Sequence, residues 1–226
     1  MSCISNSSYL IETICRRLLI EATTSASNIE NLAAYTFEGD GGDAAVLYRP
    51  ETVKNLMSSG ASLDSETLLK SSAVVGYIGL QHHDTDCWAA SEILSMVGKG
   101  YGKILYDIGY ALSPSGILMM DREIVSPAAS ASWLRAGDKL GDKNKKKFDA
   151  RKPNNKTPEA IDDCDLFPEP ERAHLNYAHK ETQDSSGTLS SLMNAHNQFI
   201  KSIGPAAEDT KEALYAAGAE LFHRET

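Results

Sequence analysis

In the stretch Met96-Val-Gly-Lys-Gly-Tyr-Gly-Lys-Ile-Leu-Tyr106, residue types and spacing point most directly to chemistry. Gly98, Gly100 and Gly102 remove Cβ atoms from one side of the backbone. A helix starting behind them leaves N–H groups without intrahelical acceptors, and such a turn cradles phosphate with help from the helix dipole. The spacing is neither the Walker pattern GxxxxGK[ST] nor GxGxxG, and the same residues also make a tight strand-to-helix turn that holds nothing. Glu92 lies six residues before Gly98, inside an apolar strand-like run. A carboxylate there is costly to bury unless paired or functional. It is the candidate general base, the other reading being a solvent-facing position.

Other polar clusters are less specific. His82-His83-Asp84-x-Asp86 offers metal-ligand residue types, but adjacent histidines need a third ligand from elsewhere to close on one ion. A polar hairpin turn is the simpler reading, and no metal site is assigned. His83, with its near-neutral imidazole, is a second general-base candidate. Asp121-Arg122 reads as a local ion pair or as lining for an acceptor pocket. Tyr101 and Tyr106 read as core or stacking residues. The GxSxG, HExxH and DxDxDG patterns are absent, which removes the common hydrolase, zincin and calcium-loop readings.

Composition bounds the rest. The 226 residues carry 22 basic and 31 acidic side chains, a net charge of −9, and 42% hydrophobic residues. That acidity argues against a nucleic-acid partner, since phosphate affinity comes from clustered Lys and Arg. The exception is 139–156, with eight basic residues against two acidic. It reads as a solvated loop or, alternatively, a phosphate or partner contact. Uncharged apolar runs such as Ser71–Gln81 fall far short of the ~20 residues a membrane span requires. Cys3, Cys15, Cys87 and Cys164 form no CxxC unit, so reduced thiols and a cytoplasmic setting are expected.

The elements that must position these residues follow from periodicity. Leu10, Ile14, Leu18 and Leu19 predict an amphipathic helix over Ser8–Ala22. Ala33–Phe37, Ala44–Tyr48, Ala73–Leu80 and Cys87–Val97 read as strands, the first two joined by the glycine-rich connection Glu38–Asp43 and the last two by a turn over Gln81–Asp86. Pro50 opens a helix to Ser58. Helices are expected at Gly102–Leu112, Pro127–Arg135, Ser190–Ile203 and Ala206–Phe222, with a short strand at Ile117–Asp121 and a long loop over Gly137–Pro170. The expected fold is α/β, a mixed central sheet flanked by helices with a crossover of parallel type. The chain divides into an N-terminal helix and linker (1–28), an α/β domain (29–137), a charged loop (138–170) and a helical extension (171–226).

Strand, Gly-x-Gly-x-Gly, helix, short strand and small-residue helix in that order resemble the acetyl-CoA half of the GNAT N-acetyltransferase superfamily. Val97-Gly-Lys-Gly-Tyr-Gly102 is similar to its [Gln/Arg]-x-x-Gly-x-[Gly/Ala] loop, and Ser126-x-x-Ala-x-x-x-Trp133 to its Asn-x-x-Ala-x-x-x-Tyr motif. Lys99–Asp107, Met120–Ala128, Ala160–Asp165 and Ala217–Phe222 resemble four short motifs of GNAT-like proteins of tailed phages. The resemblance implies acetyl-CoA as co-substrate, held by Val97, Gly98, Lys99, Gly100, Tyr101, Gly102, Ser126 and Trp133. Glu92 would be the base and an amine or protein lysine the acceptor. Two positions depart from the pattern: Val97 stands for Gln or Arg, and Trp133 for a Tyr that protonates the leaving thiolate, which an indole N–H does poorly. Leu19-Ile20-Glu21-Ala22 resembles a phage prohead-protease site. Together these imply an alternative, a virion-associated or interaction protein of GNAT-like fold without catalysis, partnered by capsid proteins.

Overall fold

The computed structural model describes residues 26–39, 42–84, 89–98, 100–120, 127–141, 144–147, 177–180 and 185–225. The N-terminal helix expected over Ser8–Ala22, the Leu19–Ala22 site, Asp121-Arg122, Lys99, Ser126 and the Ala160–Asp165 motif lie outside these residues.

Among the described residues, one seven-stranded sheet runs in the order β1-β2-β3-β4-β5-β7-β6. Its strands are β1 (Ala33–Gly39), β2 (Gly42–Tyr48), β3 (Val74–Asp84), β4 (Ala89–Val97), β5 (Ile117–Met120), β6 (Lys145–Lys147) and β7 (Tyr177–Lys180). The first four are consecutive antiparallel neighbours. β4 and β5 are parallel, joined by the crossover helix α3 (Gly102–Leu112) that parallel neighbours require. β7 then pairs antiparallel with β5 on one side and β6 on the other. The expected mixed α/β sheet flanked by helices is present.

Period-2 alternation divides the strands between two cores. Ala34, Ala45, Leu47, Ile78 and Leu80 meet Ile104, Leu105 and Ile108 of α3 on one face. Ala33, Val46, Tyr48 and Val74 meet Val53 of α1 (Pro50–Ser58), Leu68 of α2 (Ser65–Lys70) and Leu214 and Ala217 of α6 (Ala207–Glu225) on the other. The helix α5 (Ser185–Ile203) contributes to both cores, Leu189 and Leu192 to the first and Phe199 to the second. The C-terminal helices are therefore part of the sheet's own cores.

Several elements differ from the sequence expectation. β3 continues through the expected turn to Asp84, because His82, His83 and Asp84 pair with Ser91, Ala90 and Ala89. The helix α4 extends from Pro127 to Leu140, and Lys145–Lys147 within the expected loop forms the edge strand β6. Tyr177–Lys180, expected to be helical, fills the gap between β5 and β6 as a strand. The short helix α2 had no sequence expectation; Asp64 caps it by accepting the Thr67 N–H at 2.8 Å. No helix among the described residues is long and apolar enough to cross a membrane.

Candidate functional site

The candidate site forms at the C-terminal end of β4. Among the described residues, the β4–β5 ladder pairs Ser91, Glu92 and Ile93 with Leu118, Met119 and Met120, and β4 continues to Val97. On its other side, Ser95 opposes Gly79 and Ile93 opposes Leu80, so Leu94 is an extra residue, a β-bulge. A bulge bends its strand and re-aims or terminates pairing. Among the described residues, the edge of Leu94–Val97 away from β3 has no strand partner.

This end of β4 runs directly into the glycine turn. The Tyr101 N–H donates to the Gly98 carbonyl at 3.0 Å, and Gly100 has φ +85°. This is the signature of a turn needing left-handed backbone at its third position. Helix α3 starts at Gly102 with Tyr101 as N-cap and no side-chain cap. The first intrahelical donor is Leu105, to the Tyr101 carbonyl at 3.0 Å. The amides of Gly102, Lys103 and Ile104 thus have no intrahelical acceptor and point out of the helix end, where an anion is favoured.

The three glycines do different work. A Cβ on Gly98 would sit 2.5 Å from Leu105 Cδ1 and 3.4 Å from Gly76 Cα, so this glycine lets the turn seat on the sheet. Among the described residues, a Cβ on Gly100 or Gly102 would meet nothing within 4 Å. These two face the open side, where a ligand could approach. Gly98→Ala should accordingly cost about 1–3 kcal/mol by overpacking, whereas Gly102→Ala should be neutral or slightly stabilising in a helix's first turn. Urea midpoints of the two variants check this, and equal midpoints would contradict it.

The remaining sequence candidates take varied places. Val97 is half-buried and pairs with Tyr77 at the end of β4. Glu92 is placed by its backbone, between Gln81 of β3 and Met119 of β5, two residues before the bulge. His83 is placed likewise, opposite Ala90. Trp133 is 1% exposed and belongs to the first core, stacked on His179 at 3.8 Å between ring centroids and 5.8 Å from Tyr106. Its surroundings give it a packing role. Burial pushes the Tyr106 hydroxyl up to about 12, partly opposed by Arg135, which makes it a poor proton donor at neutral pH. His82 Nε2 lies 3.0 Å from Asp43 Oδ2 of β2, and no group of three metal-ligating side chains occurs among the described residues.

One residue at the site had no sequence signal. Arg49, between β2 and α1, donates from Nη2 to the Tyr101 hydroxyl at 2.7 Å and from Nη1 to the Ser72 carbonyl at 2.8 Å. It stands 52 positions from Tyr101, so only the fold brings the two together.

Compared with protein-family models, curated proteins and solved structures, the chain matches none.

Proposed function

We propose that this chain is an acetyl-CoA-dependent N-acetyltransferase of GNAT type, acting on an amine. The observation that carries the reading is the uncapped helix start behind Gly100 and Gly102, entered from the bulged end of β4. A ligand with a diphosphate at one end fits such a helix start, its diphosphate accepting from the helix-end N–H groups and its amide-bearing arm running along the bulged end of β4. When bound, acetyl-CoA supplies an activated acyl carbonyl and a thiolate leaving group. The amides of Gly102, Lys103 and Ile104 would hold the diphosphate, and the Leu94–Val97 stretch of β4 the intervening amides. Glu92, in the same strand, would take the proton of the attacking amine directly or through water.

A second reading has its own support. Trp133, where the resemblance expects a proton-donating Tyr, is a buried core residue, and Tyr106 holds its proton too tightly to serve. The second reading is therefore a GNAT-like virion-associated or interaction protein that has lost catalysis. The acceptor amine, capsid partners and location in host cytoplasm or virion belong to the proposal in either form.

Calorimetric titration with acetyl-CoA tests it, with Gly100→Glu as the control. The wild type should bind with micromolar affinity and the variant should not, because a side chain at positive φ and a carboxylate beside the amides both oppose the ligand. Absence of binding at millimolar acetyl-CoA would remove the enzyme reading and leave the second. Binding with no acetyl transfer to any amine in a broad acceptor panel would also select the second.

A further inference from the structure

We propose that Arg49 is the positioning residue of the glycine turn, acting through Tyr101. What the turn holds rests on the acetyltransferase reading; that Arg49 holds the turn does not.

Arg49 is fixed at both ends of its own backbone. Its N–H donates to the Ala73 carbonyl at 2.8 Å, and its carbonyl accepts the Val53 N–H at 3.2 Å as α1 begins. The guanidinium then spans two further segments. One is the turn closing α2 onto β3, where Ser72 has φ +56° and its carbonyl accepts from Nη1. The other is Tyr101, whose hydroxyl accepts from Nη2. A planar fork can serve two acceptors lying in different directions, which a lysine point charge cannot reproduce.

The glycine turn needs such an anchor. Glycine backbone loses more freedom on ordering than any other, and among the described residues nothing packs where a side chain on Gly100 or Gly102 would be. Among the contacts that hold the turn to the rest of the fold are Gly98 against Leu105 and Tyr101 against Arg49. Tyr101 is also the N-cap of α3, and its ring lies against the first core. Fixing its hydroxyl fixes the residue from which the helix amides fan out. A hydrogen bond from a charged donor is among the stronger kinds, so the end of β2 sets the geometry of a turn 52 positions later. The turn is thereby ordered before any ligand arrives, which lowers the entropic cost of binding.

Amide hydrogen exchange over Gly98–Ile104, measured for wild type, Arg49→Met, Arg49→Lys and Tyr101→Phe, tests the proposal alongside acetyl-CoA titration. Exchange in this segment should rise about tenfold in all three variants, while amides of β1 and β2 away from Arg49 stay as in wild type. The dissociation constant should rise about tenfold in Arg49→Met and Tyr101→Phe, and combining the two should add little, because they remove one shared interaction. Any change in turnover should appear in KM and not in kcat. Unaltered exchange in Arg49→Met and Tyr101→Phe would overturn the proposal, as would faster exchange with unaltered affinity. Faster exchange in a protein that binds no acetyl-CoA even as wild type would support the anchor and remove the acetyltransferase reading. If Arg49→Met does not fold, Tyr101→Phe, which deletes one oxygen, decides alone.

Discussion

Trp133→Ala should lower the free energy of unfolding by about 3–5 kcal/mol, the usual range for emptying a buried aromatic site. The indole is 1% exposed and lies nearly parallel to the His179 ring, with 12° between planes and 3.8 Å between centroids. Tyr106 of α3 closes one flank at 5.8 Å. A single side chain on α4 therefore joins the crossover helix to β7, the strand that carries the sheet on to its edge. Removing it leaves a cavity that three different elements would have to collapse into. Trp133→Phe should cost much less, no more than about 1–2 kcal/mol. Phenylalanine keeps a ring to stack and loses no hydrogen bond, since the buried indole N–H has no partner among the described residues. Urea unfolding followed by far-ultraviolet circular dichroism separates the cases. A cost for the alanine variant within about 0.5 kcal/mol, typical of surface substitutions, would overturn the packing role and reopen Trp133 as a ligand contact.

The second large effect is a loss of stability in mild acid, centred on His196. This α5 residue is buried beneath the sheet, stacked on Tyr35 at 5.1 Å and edge-on to Tyr48. The Tyr48 hydroxyl lies 2.8 Å from its Nδ1. Burial raises the Tyr48 pKa, so the hydroxyl keeps its proton; in the tautomer whose Nδ1 carries no hydrogen it donates to that nitrogen, and a proton arriving there would displace the bond. Burial, reinforced by the Lys211 charge, holds the His196 pKa down to about 4 from an ordinary 6.5. The folded state thus binds fewer protons than the unfolded one between these values. Stability is fully present above about pH 6.5 and is lost as pH falls through about 4, by at most about 3 kcal/mol. His196→Gln keeps an acceptor for Tyr48 without the titration. The stability difference between wild type and this variant should therefore shrink by up to that amount between about pH 7.5 and about pH 4, with carboxylate contributions cancelling. A difference independent of pH would overturn the assignment.

Legibility in the sequence followed locality. The bounds of α3 were readable to the residue, because a glycine turn stops one end and Ser113-Pro-Ser-Gly116 the other. β1 and β2 showed their alternation and the Pro50 helix its N-terminal signal. Elements that exist through distant partners were not legible. β7 is four residues whose register with Ile117 and Leu118 lies some sixty positions back, β6 is three lysines with no apolar face to announce it, and α2 is a single short turn and a half held by Leu68 in the second core. The same division runs through the site. Its glycines could be found in the sequence, although not that Gly98 serves packing while Gly100 and Gly102 face outward. The bulge at Leu94 is a mismatch of register with β3, and Arg49 reaches Tyr101 only across the folded sheet; neither has a local pattern to read.

The placement of α5 in both cores and of α6 in the second also sets when the molecule can form. Tyr48 waits for His196, 148 positions later. At the usual pace of synthesis of about 5–20 residues per second, the β1–β2 hairpin leaves the ribosome roughly 7–30 s before the helix that covers it. During that interval Val46, Tyr48 and Ala33, destined for complete burial, have only α1, α2 and their neighbouring strands for shelter. Completion is thus a post-translational event, governed by late contacts between the two ends of the described chain. Chains halted before α5 would present an apolar sheet face to chaperones and proteases rather than a smaller working domain.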